Sequence, residues 1–266
     1  MRIEEIKKLI ESEKYKFLVT DARLNQNIIL LTVWGSHAYG IENTESDIDI
    51  RGIALNSKKE ILLGNDFEHV EETNTDMVIF SFNKMLNLLT ENKPNALECL
   101  GCLPEHYLFL NAIGTELLQN RKMFLSKCCI RTFSSFAKGQ LHKMKLRETK
   151  LESGFRNEDL ILKIKKNMVH SIRSYMMCID LLEKGDIITY RFAEHDLLMS
   201  IRNGDFLDKK GLLRTEFYDL LNEYEKRFAY AKENTSLPDI PDHKRIDEFK
   251  MNVNERIVKG IIPRRY

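Results

Sequence analysis

Gly35-Ser36-His37-Ala38-Tyr39-Gly40-Ile41-Glu42-Asn43-Thr44-Glu45-Ser46-Asp47-Ile48-Asp49-Ile50-Arg51-Gly52 is the stretch from which the fold can be read. Ahead of it, residues 28–34 form an apolar, β-branched run of strand length that ends on Gly-Ser. Behind the turn, residues 47–55 alternate, with Ile48 and Ile50 on one side and Asp47, Asp49 and Arg51 on the other. Residues i and i+2 of a strand share a face, so both carboxylates look at one spot. Bare carboxylates side by side repel each other. A hard divalent cation relieves that repulsion, and Mg²⁺ is usually held by one or two carboxylates plus substrate phosphates. A Gly-Ser turn before a short helix offers backbone N–H groups to a phosphate. Turn and carboxylates together make a metal-and-triphosphate site.

Outward from this stretch, helix and strand alternate as far as about residue 110. Residues 3–20 read as a helix, with Ile3, Ile6, Leu9, Ile10 and Phe17 near helical spacing. Residues 61–63 read as a short extended piece ended by Gly64-Asn65, and Asp76-Met77-Val78-Ile79-Phe80 as a further strand. Residues 82–91 read as a helix with Met85, Leu88 and Leu89 inward. After about residue 120 only helical patterns remain. In residues 159–183, Ile161, Ile164, Met168, Ile172, Tyr175, Ile179 and Leu182 make one apolar stripe, and Gly185 ends it. Residues 216–231 and 246–257 look helical as well. The expected fold class is α+β: an α/β-type core with a mixed sheet over residues 1–120, then a mainly helical domain over 121–266 that closes a cleft.

The quoted stretch resembles the DNA polymerase beta-like nucleotidyltransferase superfamily, whose signature is Gly-Ser, a short gap and Asp-x-Asp. The fuller strings, Gly-Ser-x-Ala-Tyr-Gly and Ser-Asp-x-Asp-x-Arg-Gly, are similar to a predicted nucleotidyltransferase branch linked to an RNA repair pathway. The likeness continues in residues 93–98, 166–173, 200–204 and 237–242, and so covers the chain roughly from Ile28 to Asp242. It implies transfer of NMP from an NTP, ATP included, to a hydroxyl, with an RNA 3′ end as acceptor.

Nucleotidyl transfer requires charge to be neutralised on the α-phosphoryl, the attacking oxygen and the pyrophosphate. Two metal ions about 3.5–4 Å apart do this in many such enzymes. Asp47 and Asp49 are the expected ligands for Mg²⁺, with Mn²⁺ as the substitute. A third carboxylate is needed near the attacking hydroxyl. The resemblance places it at Asp76, at the start of a strand, while Glu71, Glu72 and Glu98 compete for the role. Gly35 allows close backbone approach, and Ser36 either donates to a phosphate or caps the short helix. Arg51 shares the carboxylate face, to bind phosphate or to pair with the acids. Tyr39 is read as core in preference to a base-stacking ring. Lys163, Lys166, His170 and Arg173 lie opposite the apolar stripe of residues 159–183. Such a stripe is ordinarily a solvated face, whereas the resemblance puts Lys166, His170 and Arg173 on the triphosphate. Lys138, His142, Lys143, Lys145, Arg147 and Lys150 form another basic stretch, which either contacts a nucleic-acid backbone or, having few aromatics for base stacking, is by default a solvated face.

Composition narrows the class. Charged residues make up 30% of 266 yet balance to +1, which argues against a globally basic binder. No apolar run approaches the ~20 residues of a membrane span. The first residues carry acids and no apolar core, unlike a secretory signal. Five cysteines without regular spacing suit a reducing cytoplasm. Cys99-x-x-Cys102 lacks the second pair of a zinc site, and its thiols are read as incidental. Walker A, His-Glu-x-x-His and Gly-x-Ser-x-Gly motifs are absent. Two other functions remain open: NMP transfer to a protein or small-molecule acceptor, and a nucleotide-binding regulator without turnover.

Overall fold

The computed structural model describes residues 2–154 and 157–261. The outer ends of the two expected domains, Met1 and residues 262–266, lie outside the described residues. In chain order the elements are α1 (Ile3–Leu9), α2 (Phe17–Thr20), β1 (Ile28–Trp34), α3 (Gly35–Tyr39), β2 (Asp49–Ala54), α4 (Lys58–Leu63), β3 (His69–Glu72) and β4 (Met77–Ser81). There follow α5 (Phe82–Thr90), α6 (Pro94–Leu100), β5 (Tyr107–Leu110), α7 (Ala112–Gln119), α8 (Cys128–Glu152), α9 (Glu158–Lys184), α10 (His195–Asn203), α11 (Thr215–Asn234) and α12 (His243–Lys259).

The sheet is mixed, in the order β3-β4-β2-β1-β5. β1, buried along its whole length, lies between β2 and β5 and is antiparallel to both. An uninterrupted apolar run belongs at such a position, covered on both faces. β2 and β4 are parallel, joined by a crossover through α4 and β3, and β3 is antiparallel to β4. The expected α+β class with a helical second half is what the chain forms.

The structure departs from the sequence pattern at three places. The helix expected over 3–20 is broken, because Ser12 is extended (φ −76°, ψ 164°) and separates α1 from a short 3₁₀ turn and α2. Residues 61–63 are helical: they end α4, which a capping box starts, Ser57 Oγ accepting from the Glu60 N–H and the Glu60 carboxylate from the Ser57 N–H. β2 begins at Asp49, so Asp47 stands in the lead-in.

In the second half, α9 is enclosed by α8, α10 and α11. The apolar stripe is buried from Ile164 to Leu182, but burial does not stop at the stripe. From Asn167 to Leu182 every residue except His170 is buried. A helix apolar on one stripe and buried all round must pair its polar groups inside the protein. The chain then turns back through residues 237–242, where Pro238 accepts from the Lys127 N–H (2.8 Å) and Asp242 donates to Met123 (3.0 Å). This lays α12 on α4 and α5, with the Phe249 and Phe82 rings 5.9 Å apart. Buried apolar side chains from Ile6 to Val253 form one continuous core. Among the described residues no helix is long and apolar enough to cross a membrane.

Candidate functional site

The site is built on the corner between β1 and α3. Gly35 has φ +60°, a conformation L side chains rarely adopt, and a Cβ there would overlap the Asp49 carboxylate. The cause is register: Trp34 is opposite Asp49 across the β1–β2 ladder. Gly40, also left-handed at φ +73°, ends α3, and the Gly40 and Ile41 N–H groups both bond the Ser36 carbonyl. Ser36 lies inside this short helix; the capping position belongs to Trp34.

Asp49 is half-buried at the head of β2. The parallel register Ile50↔Met77 sets it beside Asp76 at the head of β4. Asp76 is a left-handed corner residue (φ +45°), one position ahead of the strand, with its side chain exposed. Its carbonyl accepts from the Ile50 N–H (3.3 Å) and from Arg51 Nη1 (3.0 Å). Burial raises the Asp49 carboxyl above the usual range; Arg51 and Lys166 oppose that rise, while the Asp76 and Asp47 charges add to it. The acids and their two cationic neighbours are therefore one electrostatic cluster. Among the described residues, no three His, Cys, Asp or Glu side chains converge tightly enough to hold a metal ion unaided. The donors available are all carboxylate oxygens, the chemistry Mg²⁺ takes when phosphate oxygens complete its shell.

A cleft of about 450 Å³ opens over this corner. Gly35, Ser36, Tyr39, Asp47 and Asp49 line one wall, and Leu162, Lys165, Lys166, Val169 and His170 of α9 line the other, with Arg202 and Asn203 of α10 at one end. Burial, together with Arg173, Lys166 and Lys143, pushes the His170 imidazole down to about 3, so it is neutral at physiological pH. Arg202 of α10 carries no signal of a role in the sequence. Its guanidinium donates to the Ile41 carbonyl (2.8 Å), Ser46 Oγ (2.9 Å) and Asn43 Oδ1 (3.2 Å), pinning the loop that delivers Asp47. No motif signals such a pin, because it acts on backbone and on a turn 156 residues away.

The cleft thus gathers Gly35, Ser36, Asp47, Asp49, Lys166 and His170, and three expected residues stand apart. Asp76 adjoins Asp49 without lining the cleft. Arg51 ties β2 to β4 through the Asp76 carbonyl and lies 5.7 Å from the Trp34 ring. Arg173, expected at the triphosphate, is buried. It forms an ion pair with Glu98 and stacks 3.5 Å from the centre of the Tyr39 ring. The Tyr39 hydroxyl donates to the other Glu98 oxygen (3.0 Å). Glu98, a rival for the third acid, is spent in this pair. A guanidinium inside an enclosed helix needs a buried carboxylate, and α6 supplies it.

The chain matches the RNA repair pathway DNA polymerase beta family over residues 1–252 and belongs to it. It is 30% identical over 88 residues to an uncharacterised 38.9 kDa protein of Enterobacteria phage T4. That likeness takes in 29% of this chain and 26% of the phage protein, so it spans about a quarter of that relative's length. Among solved structures, a nucleotidyltransferase-like protein from Exiguobacterium sibiricum 255-15 aligns over 97% of this chain and 93% of its own, at 11% identity and a TM-score of 0.35.

Proposed function

We propose that the chain is a nucleotidyltransferase that moves NMP from an NTP, such as ATP, to the 3′-hydroxyl of RNA, supported by Mg²⁺ or by Mn²⁺ in its place. The observation that carries the reading is Asp49, held against Gly35, flanked by Asp47 and Asp76, and facing Lys166 across a cleft of nucleotide size. Asp47, Asp49 and Asp76 would hold the cation, which neutralises charge on the α-phosphoryl and the leaving pyrophosphate. Ser36 and the start of α3 receive the phosphates, Lys166 adds a mobile positive charge, and neutral His170 offers a hydrogen bond. The acceptor oxygen bonds the α-phosphorus, the bond to the β-phosphoryl oxygen breaks, and pyrophosphate leaves. The hydroxyl proton passes to Asp76, exposed at the corner beside Asp49. Arg51, Arg173 and Arg202 act on the framework: they fix β2 to β4, Tyr39 to α6, and the Asp47 loop to α10. The helical part, residues 121–266, closes the cleft over the catalytic part, residues 1–120. All five cysteines are free thiols, as suits a cytoplasmic protein.

The test is label transfer from each α-labelled NTP, with Mg²⁺, to RNA bearing a free 3′-hydroxyl, run beside Asp47→Asn. Labelled RNA with the native chain alone supports the reading. Label on a protein or small molecule keeps the chemistry and rejects the acceptor. Bound NTP without transfer to anything rejects the enzyme in favour of a regulator.

A further inference from the structure

A second cleft, of about 670 Å³, lies between β3–β4, the α5–α6 connection and the first turns of α8. Nothing in the nucleotide site uses it. Its walls hold cations and rings: Lys84, Lys93 and Arg131 with His69, Phe80 and Phe136. Lys84 and Lys93 are each shared with an exposed glutamate, Glu68 at 2.9 Å and Glu91 at 3.1 Å, whereas Arg131 has no ion-pair partner among the described residues. His69 and Phe80, paired across the β3–β4 ladder, have ring centres 6.0 Å apart and planes tilted by 50°.

Sheet parity connects this cleft to the acids. Along β4, Met77, Ile79 and Ser81 are buried, while Val78 and Phe80 are half-buried on the opposite face. The β2–β4 register pairs Arg51 with Val78 and Ile53 with Phe80, so Asp49, Arg51, Val78 and Phe80 share one face. From Asp76 to Phe80 is four residues, about 13 Å of strand. On the helical side, Phe136 in the second cleft meets His170 in the first, with ring centres 6.5 Å apart. From Arg131, the exposed residues Ser135, Lys138, His142 and Lys145 follow at steps of four and three, a single stripe along α8. Lys138 and Lys145 likewise have no ion-pair partner among the described residues.

We infer that this second cleft and the α8 stripe bind the acceptor strand, and that the strand is single-stranded RNA whose 3′ end reaches Asp76 along the β4 face. The inference rests on the nucleotidyl-transfer reading above. Cations spaced along a groove suit a phosphate backbone. Rings within it suit unpaired bases, which stack without regard to sequence. A duplex buries its base faces and would leave Phe80 and Phe136 unused.

The experiment measures binding of a fluorescent single-stranded oligoribonucleotide to the full chain, with NTP binding measured separately. Variants are Arg131→Glu/Lys138→Glu, both at exposed positions, and Phe136→Leu. The charge reversal should weaken RNA binding about tenfold or more and lower the salt slope by about 1.4, roughly 0.7 for each lost phosphate contact on a single strand, with NTP binding unchanged. Phe136→Leu should weaken RNA binding with no change in salt slope. RNA affinity that ignores both variants overturns the inference. So does a native chain that binds NTP but no RNA, or a duplex bound as tightly as a single strand. Loss of NTP binding by the native chain would defeat the nucleotidyl-transfer reading instead, and the RNA variants would still decide the groove.

Discussion

The two walls of the nucleotide cleft are made by different means. On the sheet wall, side chains are placed by backbone pairing: Trp34↔Asp49 across one ladder and Ile50↔Met77 across the next bring Asp49, Gly35 and Asp76 together. On the helix wall, α9 presents four polar residues at helical spacing, and their fates diverge. Lys163 and Lys166 are exposed, His170 is half-buried and neutral, and Arg173 is sealed in the core with Glu98. Strand alternation fixes a side chain's face once its neighbours are known. Helical spacing fixes only which residues share a side, and enclosure by α8, α10 and α11 then decides whether that side meets solvent or protein.

The sharpest way to break this contrast is to separate activity from stability. Asp49→Asn should lower label transfer at least about 10³-fold, the equivalent of ~4 kcal/mol of barrier. Its melting temperature should hold or rise. Asp49 titrates above its ordinary range in the fold, so its charge at neutral pH opposes folding, and neutral Asn removes that opposition. A large fall in melting temperature would mean that the acid supports the fold.

Glu98→Gln should do the reverse. It leaves Arg173 buried without its carboxylate, at a cost of about 3–5 kcal/mol in denaturant unfolding. The double change Glu98→Gln/Arg173→Met should recover part of that loss, because no buried charge is left unpaired. If the double variant is no more stable than the single one, the pair is not what holds α6 to α9.

Lys166→Ala is the intermediate case. The residue is exposed, so unfolding should be unchanged, and KM for the NTP should rise about tenfold, as for loss of one charge-assisted phosphate contact. An unaltered KM would take α9 out of nucleotide binding.

A pH-dependent effect concerns His170. Its folded pKa of about 3 is below the ordinary 6.5, so between those values the unfolded chain takes a proton that the folded chain refuses. The resulting loss of stability grows as pH falls through that window and is absent above it. Unfolding of native and His170→Asn chains from pH 7 to 4 should show a shallower decline in the variant. Parallel declines would place the imidazole in contact with water.

Much of the sheet wall was legible in the sequence because it is local. Gly35-Ser36 follows an apolar strand, and Asp47 and Asp49 are two residues apart, so neighbouring residues carry the signal. The parts that escaped depend on distant partners. Residues 61–63 are apolar enough for a strand, yet Ser57 and Glu60 cap them as helix. Arg173 looked like a phosphate ligand because its buried partner, Glu98, is 75 residues away. Arg202 acts through a loop even further off in sequence. Asp76 was found one residue outside the strand it was expected to begin, since a left-handed corner turns the chain there.

The central claim is that the sheet-edge acids and the α9 lysine form one cation-dependent NTP site. The most direct measurement is an anomalous difference map from crystals grown with Mn²⁺ and a non-hydrolysable NTP. A Mn²⁺ peak touching Asp47 and Asp49, with the triphosphate running from Ser36 towards Lys166, is the predicted result. A peak away from both aspartates, or a nucleotide bound outside the cleft between Gly35 and His170, would contradict it.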